Sequence, residues 1–259
     1  MNTVPDNLKT PLVELLLTVA DDKLMLGHRN SDWTGLAPIL EEDIAFSSLA
    51  QDEIAHAAEF YRLAADLLES DPDKLAYGRK PDEYRCAAVV ELPDEFDWSV
   101  AIARQFFCDH FDLLRLERLA GSSYKPLAAL AKRLVAEERV HVEHADRWIR
   151  HLGGGDDDAR QKTQAALDKL APHAVMLFEP AIGQSELEAA GVYPAGKRDM
   201  FEQWSADLCA VAKDADVRLE VSRPPAGASG GRSGKHSQAF AGLLDEMCEV
   251  YRIEPEAAW

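Results

Sequence analysis

The chain has 259 residues, 47% of them hydrophobic, and a formal net charge of −18. It is long enough to bury one sizeable core. So strong an acidic excess excludes nucleic acid and anionic membrane surfaces as partners, since both select positive charge. The four cysteines, Cys86, Cys108, Cys209 and Cys248, match no zinc spacing and read as reduced thiols. No basic leader follows Met1 and no apolar run is long enough to cross a bilayer, so the expectation is a cytoplasmic protein.

Thr10-Pro11 offers an N-cap and a first-turn proline for a helix running to about His28. Its apolar stripe is Leu12, Leu15, Val19, Asp22 and Leu26, with one acid in the middle. Asn30 to Ala37 is a turn-rich connection. Pro38 opens a second helix, whose Glu41, Glu42 and Asp43 complement its positive end, and Ser70-Asp71-Pro72 stops it. The stripe of this helix is Phe46, Leu49, Glu53, His56, Phe60, Leu63 and Leu67. From Asp73 to Phe96 the periodicity fades, and a loop with short helical turns is expected. A third helix spans about Asp97 to Ala120, with the stripe Ile102, Phe106, Asp109, Leu113, Leu116 and Ala120. Ser123 caps a fourth, which ends near Leu152 at Gly153-Gly154-Gly155. Its stripe is Leu127, Ala131, Leu134, Glu138, His141, Ala145, Trp148 and Leu152.

Steps alternating between three and four residues put each stripe on one helix face. Four long helices in two tight pairs predict an all-α fold, an antiparallel four-helix bundle. The bundle core is about 10–152. A helical C-terminal extension, about 156–259, consists of Asp156 to Met176, a short piece near Glu186, Lys197 to Leu219, and Ser237 to Arg252. No composition break marks a second domain. Arg223 to His236 is a Pro/Gly/Ser-rich loop carrying Arg223, Arg232 and Lys235. It fails as a phosphate loop at Ser229 and at His236, and reads as an ordinary loop.

The polar interruptions form a pattern. Glu53-x-x-His56 and Glu138-x-x-His141 each aim a carboxylate and an imidazole from one helix face, and Asp22 and Asp109 add one acid from each remaining helix. One carboxylate from two helices, plus Glu-x-x-His from two others, is the ligand set of a di-iron carboxylate bundle. Hard carboxylates bridge two iron ions and imidazole supplies a neutral ligand to each. Asp112, one turn from Asp109, is a rival for its place. The alternative is a buried network in which the same residues satisfy one another without metal. Asp21, Asp52 and Glu137 should point away from the seam into solvent. Asp43, His110 and Glu143 read as surface or packing residues, and His144 as core packing or an interface contact, with support for His141 as the alternative.

Several longer stretches carry a family resemblance. They are Ala20-Asp21-Asp22 with Leu26-Gly27-His28-Arg29 and Trp33, and Ala37-Pro38-Ile39-Leu40-Glu41-Glu42-Asp43-Ile44-Ala45. Further along come Arg104-Gln105-Phe106-Phe107 with Asp109, His141 with His144-Ala145 and Trp148, and Leu177-Phe178-Glu179-Pro180. Gly230-Gly231-Arg232 with Gly234 and His236, and Trp259, complete the set. Over nearly its whole length the chain resembles the PaaC-type subunit of the multicomponent phenylacetyl-CoA 1,2-epoxidase.

The resemblance implies a ferritin-like fold in a cytoplasmic complex of aerobic phenylacetate catabolism. It also implies that the iron and the oxygen chemistry belong to a homologous PaaA-type catalytic subunit, which this chain supports as a structural partner. The ligand set of such a chain is generally incomplete, whereas this one keeps both Glu-x-x-His pairs. Two alternatives therefore stand beside the structural reading: a di-iron oxygenase or oxidase using O2 in its own right, and a helical iron-binding or interaction protein. The expected cofactor is two iron ions, or none. The expected partners are the PaaA-type chain, other members of the complex or a second copy of this chain, with phenylacetyl-CoA met through the complex. The basic loop is a candidate to meet CoA phosphates or an acidic partner face.

Overall fold

The computed structural model describes residues 3–255; Trp259, one of the residues that carry the resemblance, lies outside them. The described residues form no strand. They contain α1 (Asp6–Ser31), α2 (Leu40–Leu68), α3 (Pro72–Tyr77), α4 (Ala88–Glu91), α5 (Trp98–Leu119) and α6 (Lys125–Gly153). After these come α7 (Asp157–Ala174), α8 (Gln184–Ala189), α9 (Met200–Asp214), α10 (Gln238–Met247) and α11 (Glu249–Ile253). An all-α chain with four long helices in two hairpins is the content expected of a ferritin-like fold. Contacts group it into two compact units. One holds Thr3–Pro93, Pro180–Leu187 and the residues from Ser229 on; the other holds Asp94–Glu179 and Glu188–Ala228.

In the first unit α1 and α2 form an antiparallel hairpin, with Gly27 against Ala50 and Glu53 while Asp21 reaches Tyr61. A Cβ on Gly27 would lie 3.0 Å from the Glu53 Cβ and 2.8 Å from Ile54 Cγ1, so the absent side chain is what lets the helices approach at this level. From Leu15 to Gly27 every residue of α1 is buried. Apolar residues on all sides of this stretch suit a helix covered all round. In the second unit α5 and α6 are antiparallel, since His110 Nε2 lies 2.8 Å from Asp146 Oδ1 while Arg139 reaches Glu117. Trp204 of α9 packs on this pair and donates from Nε1 to the Phe107 carbonyl at 3.1 Å.

Every residue of the four expected stripes is buried or half-buried, with the least burial toward the helix ends. The helix ends themselves differ from expectation. α1 starts at Asp6, so Pro11 lies inside it and gives up only one bond near an exposed end. Ser123 does not cap α6: Tyr124 holds that place, and the Ser123 hydroxyl donates to the Ala190 carbonyl. α9 is shorter than Lys197–Leu219 because Asp199 accepts from Glu202 N and fixes the start. The last expected helix breaks at Cys248 into α10 and α11.

Candidate metal centre

Three of the expected ligands sit in the α1–α2 unit, and all three are buried: Asp22, Glu53 and His56. Asp22 receives a two-pronged ion pair from Arg232, with Nη1 to Oδ1 at 2.6 Å and Nη2 to Oδ2 at 2.7 Å. It also accepts from Ala87 N at 2.9 Å. Glu53 is paired with Lys23, Nζ to Oε2 at 2.9 Å, and neither side chain is more than 1% exposed. Buried charge survives only when paired and hydrogen-bonded, and these two carboxylates meet that condition with protein cations.

Asp21 corrects the expectation that it faces solvent. It is fully buried, accepts from Tyr61 Oη at 2.5 Å and from Arg85 N at 2.6 Å, and forms an ion pair with Arg79. Burial, reinforced by the Asp21 charge, pushes the Tyr61 hydroxyl well above its ordinary range, so it stays a donor. Burial opposes the charge on Arg79, but the neighbouring Asp21 outweighs it and holds the guanidinium firmly protonated.

The Arg223–His236 stretch is a second correction. Arg223 and Lys235 are exposed, but Arg232 is 1% exposed and lies inside the unit, with Nη1 also donating to the Arg85 carbonyl at 2.6 Å. Gly231 makes that reach feasible. A Cβ there would lie 1.7 Å from the Cys86 carbonyl oxygen, so only glycine lets the loop approach.

The α5–α6 unit holds the other three expected ligands. Asp109, Glu138 and His141 are buried, and one ligand atom from each lies within 4.8 Å of the others. Asp112 is engaged elsewhere, ion-paired with Arg115 one turn along, whose guanidinium lies over the Phe111 ring. His110 pairs with Asp146 and meets the Phe106 ring edge-on, a packing role. His144 is buried one turn beyond His141.

These two groups respond differently to a fit test for iron. Metal coordination needs carboxylate oxygens that are free to give up their present partners. At Asp22 and Glu53 an ion would have to displace a buried guanidinium or ammonium. Asp109, Glu138 and His141 fit one ion, with two hard oxygen donors and one neutral nitrogen.

Lys23, and the buried pairing of Arg232 with Asp22, are what sequence reasoning missed. For Lys23 a signal exists: it sits in a largely apolar helix stretch, Leu15 to Gly27, where a cation is buried and therefore paired. For Arg232 none exists, because its partner lies 210 positions away.

Comparison with known proteins gives two findings. A family model described as phenylacetic acid catabolic protein matches residues 1–259. The C-type subunit of the 1,2-phenylacetyl-CoA epoxidase of Escherichia coli (strain K12) is 31% identical over 249 residues, 96% of this chain and 99% of that protein.

Proposed function

The chain belongs to the phenylacetic acid catabolic protein family, and from that premise we propose that it is a structural subunit of a cytoplasmic phenylacetyl-CoA epoxidase complex. It holds and positions a homologous catalytic chain, while the oxygen chemistry takes place on that chain. The observation that carries this reading is the pair of internal cations. Lys23 on Glu53 and Arg232 on Asp22 supply from the protein the positive charge that metal ions would otherwise bring to those carboxylates. Desolvated pairs of this kind persist because losing either partner strands a charge. Residues that serve as ion-pair partners keep the fold and need no turnover.

Partner association is part of the same proposal. Leu36, Ile39, Leu40 and Ile44, at the turn into α2, are each more than half exposed. Apolar side chains gathered this way suit a surface shielded by a neighbouring protein of the complex. The chemistry of the complex requires an electron donor besides the two homologous chains.

A second reading has one observation in its favour. Asp109, Glu138 and His141 have the donor types and closeness to hold an ion, which would supply Lewis-acid or redox chemistry where it binds. In that reading the two carboxylates and the imidazole bind and orient the ion, and the surrounding apolar residues of α5 and α6 exclude water. Iron at Glu53 or Asp22 would in addition require displacement of Lys23 or Arg232.

The test is reconstitution with the homologous catalytic chain, using His141→Ala and Glu138→Gln and measuring iron per chain together with epoxidation. Turnover close to that of the unaltered complex is expected. Loss of epoxidation in a complex that still assembles would overturn the structural reading.

A further inference from the structure

A second group of metal-binding residue types lies away from Asp22 and Glu53 in the first unit. Cys86 precedes α4, Glu91 ends α4, and His236 precedes α10. The Cys86 Sγ lies 3.7 Å from Glu91 Oε1 and 3.9 Å from His236 Nδ1, and Nδ1 lies 2.7 Å from Oε1. We propose that Cys86, Glu91 and His236 bind one divalent metal ion of zinc-like preference, a clip that ties the Arg232 loop to the α1–α2 unit. The inference is independent of where the oxygen chemistry of the complex takes place.

The geometry carries the argument. With metal–sulfur bonds of about 2.3 Å and metal–nitrogen and metal–oxygen bonds of about 2.0–2.1 Å, a tetrahedral ion sets edges of about 3.5 Å to sulfur and about 3.3 Å between nitrogen and oxygen. The two sulfur edges are already close to that. The sulfur edges need to shorten by about 0.2 and 0.4 Å and the Glu91–His236 edge to open by about 0.6 Å, small shifts within reach of side-chain rotation. Thiolate, imidazole and carboxylate together suit zinc better than calcium or magnesium, which take oxygen donors. The three ligands leave the fourth position for water.

The surroundings are those of a held site. Ser237 N donates to Glu91 Oε2 at 2.7 Å, which turns Oε1 toward Cys86 and His236. Arg29 Nη2 donates to the Glu91 carbonyl at 2.7 Å and fixes that backbone. The His236 ring stacks on Phe240 with centroids 4.0 Å apart, so its orientation is set. Support of this sort around the ligands is what steadies a metal site. A hydrogen-bonded pair of Glu91 and His236 would account for those two residues alone. The buried Cys86 thiol adds a third donor beside that pair, its sulfur 3.7 Å from Glu91 Oε1 and 3.9 Å from His236 Nδ1. An ion here would fasten the segment carrying Gly231 and Arg232, so the clip and the Arg232–Asp22 pair hold the same loop.

Cobalt(II) is the probe, because a cysteine ligand gives it a thiolate-to-metal charge-transfer band that oxygen and nitrogen ligands do not. The full chain is stripped with a chelator, titrated with cobalt, and then back-titrated with zinc. One equivalent of cobalt should produce the band, and zinc should abolish it. Cys209→Ser should keep the band. Cys86→Ser and Glu91→Gln, with unchanged helical circular dichroism, should lose it along with about 100-fold or more in cobalt affinity, since even residues supporting a ligand are worth about 10–100-fold. The absence of a band in the unaltered chain, or its survival in a folded Cys86→Ser variant, would overturn the proposal. Binding at Asp109, Glu138 and His141 could not mimic the result, having no sulfur.

Discussion

Lys23 Nζ lies 2.9 Å from Glu53 Oε2 across the α1–α2 hairpin, and both side chains are shut off from solvent. Each is the reason the other can be charged there. A buried pair broken on one side costs about 3–5 kcal/mol, because the remaining ion has no solvent to replace its partner. Lys23→Met should therefore lower the urea-unfolding free energy by that amount. The double variant Lys23→Met, Glu53→Leu should recover part of the loss, since it removes both members of the pair together. A single variant as stable as the parent chain would refute the pairing.

Arg232 and Asp22 offer a sharper test, because their contact is two-pronged. Lysine keeps the charge at position 232 but cannot form two parallel bonds to one carboxylate. Arg232→Lys should be destabilised, and Arg232→Ala more so, by about 3–5 kcal/mol. The loop from Ser229 to Ser237 should become easier to cleave with protease in both variants. Cleavage no faster than in the parent chain would mean that the ion pair does not hold the loop.

Gly27 tests the close approach of α1 and α2. A methyl group there meets Ile54 Cγ1 at 2.8 Å, the Glu53 Cβ at 3.0 Å and the Ala50 carbonyl at 3.1 Å. Ile54 can swing aside, but the backbone carbonyl and a Cβ cannot. Overpacking of this kind costs about 1–3 kcal/mol, more than the gain in helix propensity of alanine over glycine, about 1 kcal/mol. Gly27→Ala should show a lower thermal midpoint, and an unchanged or higher midpoint would contradict the packing described.

Asp199 links a helix cap to pH. Its carboxyl is held below its ordinary value of 3.8 by the Glu202 backbone N–H and then by Arg223. A carboxylate whose value is lowered on folding stabilises the fold above its unfolded value, and that stabilisation disappears as pH falls through the folded value. The contribution should thus be complete at neutral pH and fade below about 3.8. Asp199→Ala should cost about 0.5–2 kcal/mol at neutral pH, the range for a lost N-cap, and the difference from the parent should shrink on acidification. A difference constant from neutral pH down to the acid limb would count against the cap.

The four long helices were legible because helix formation and face selection are local. Leu49, Glu53, His56 and Phe60 share a face through the helical repeat alone, whatever surrounds them. The same holds for Leu134, Glu138 and His141. That these polar residues lie within buried stripes therefore followed from spacing. Helix ends were less legible, because caps compete with neighbours distant in sequence: Ser123 is drawn to Ala190 instead of capping α6.

What occupies the polar positions was decided only by tertiary structure. Asp21 and Asp22 are adjacent acids, and the repeat says only that they point in different directions. Asp21 is buried nonetheless, because Tyr61, Arg79 and the Arg85 amide cover the other side of α1. Asp22 meets Arg232 because Gly231 lets a loop more than two hundred residues away slip against the Cys86 carbonyl. No local pattern encodes that pairing: electrostatic attraction acts through space, and the chain brings those charges together only after the core has formed.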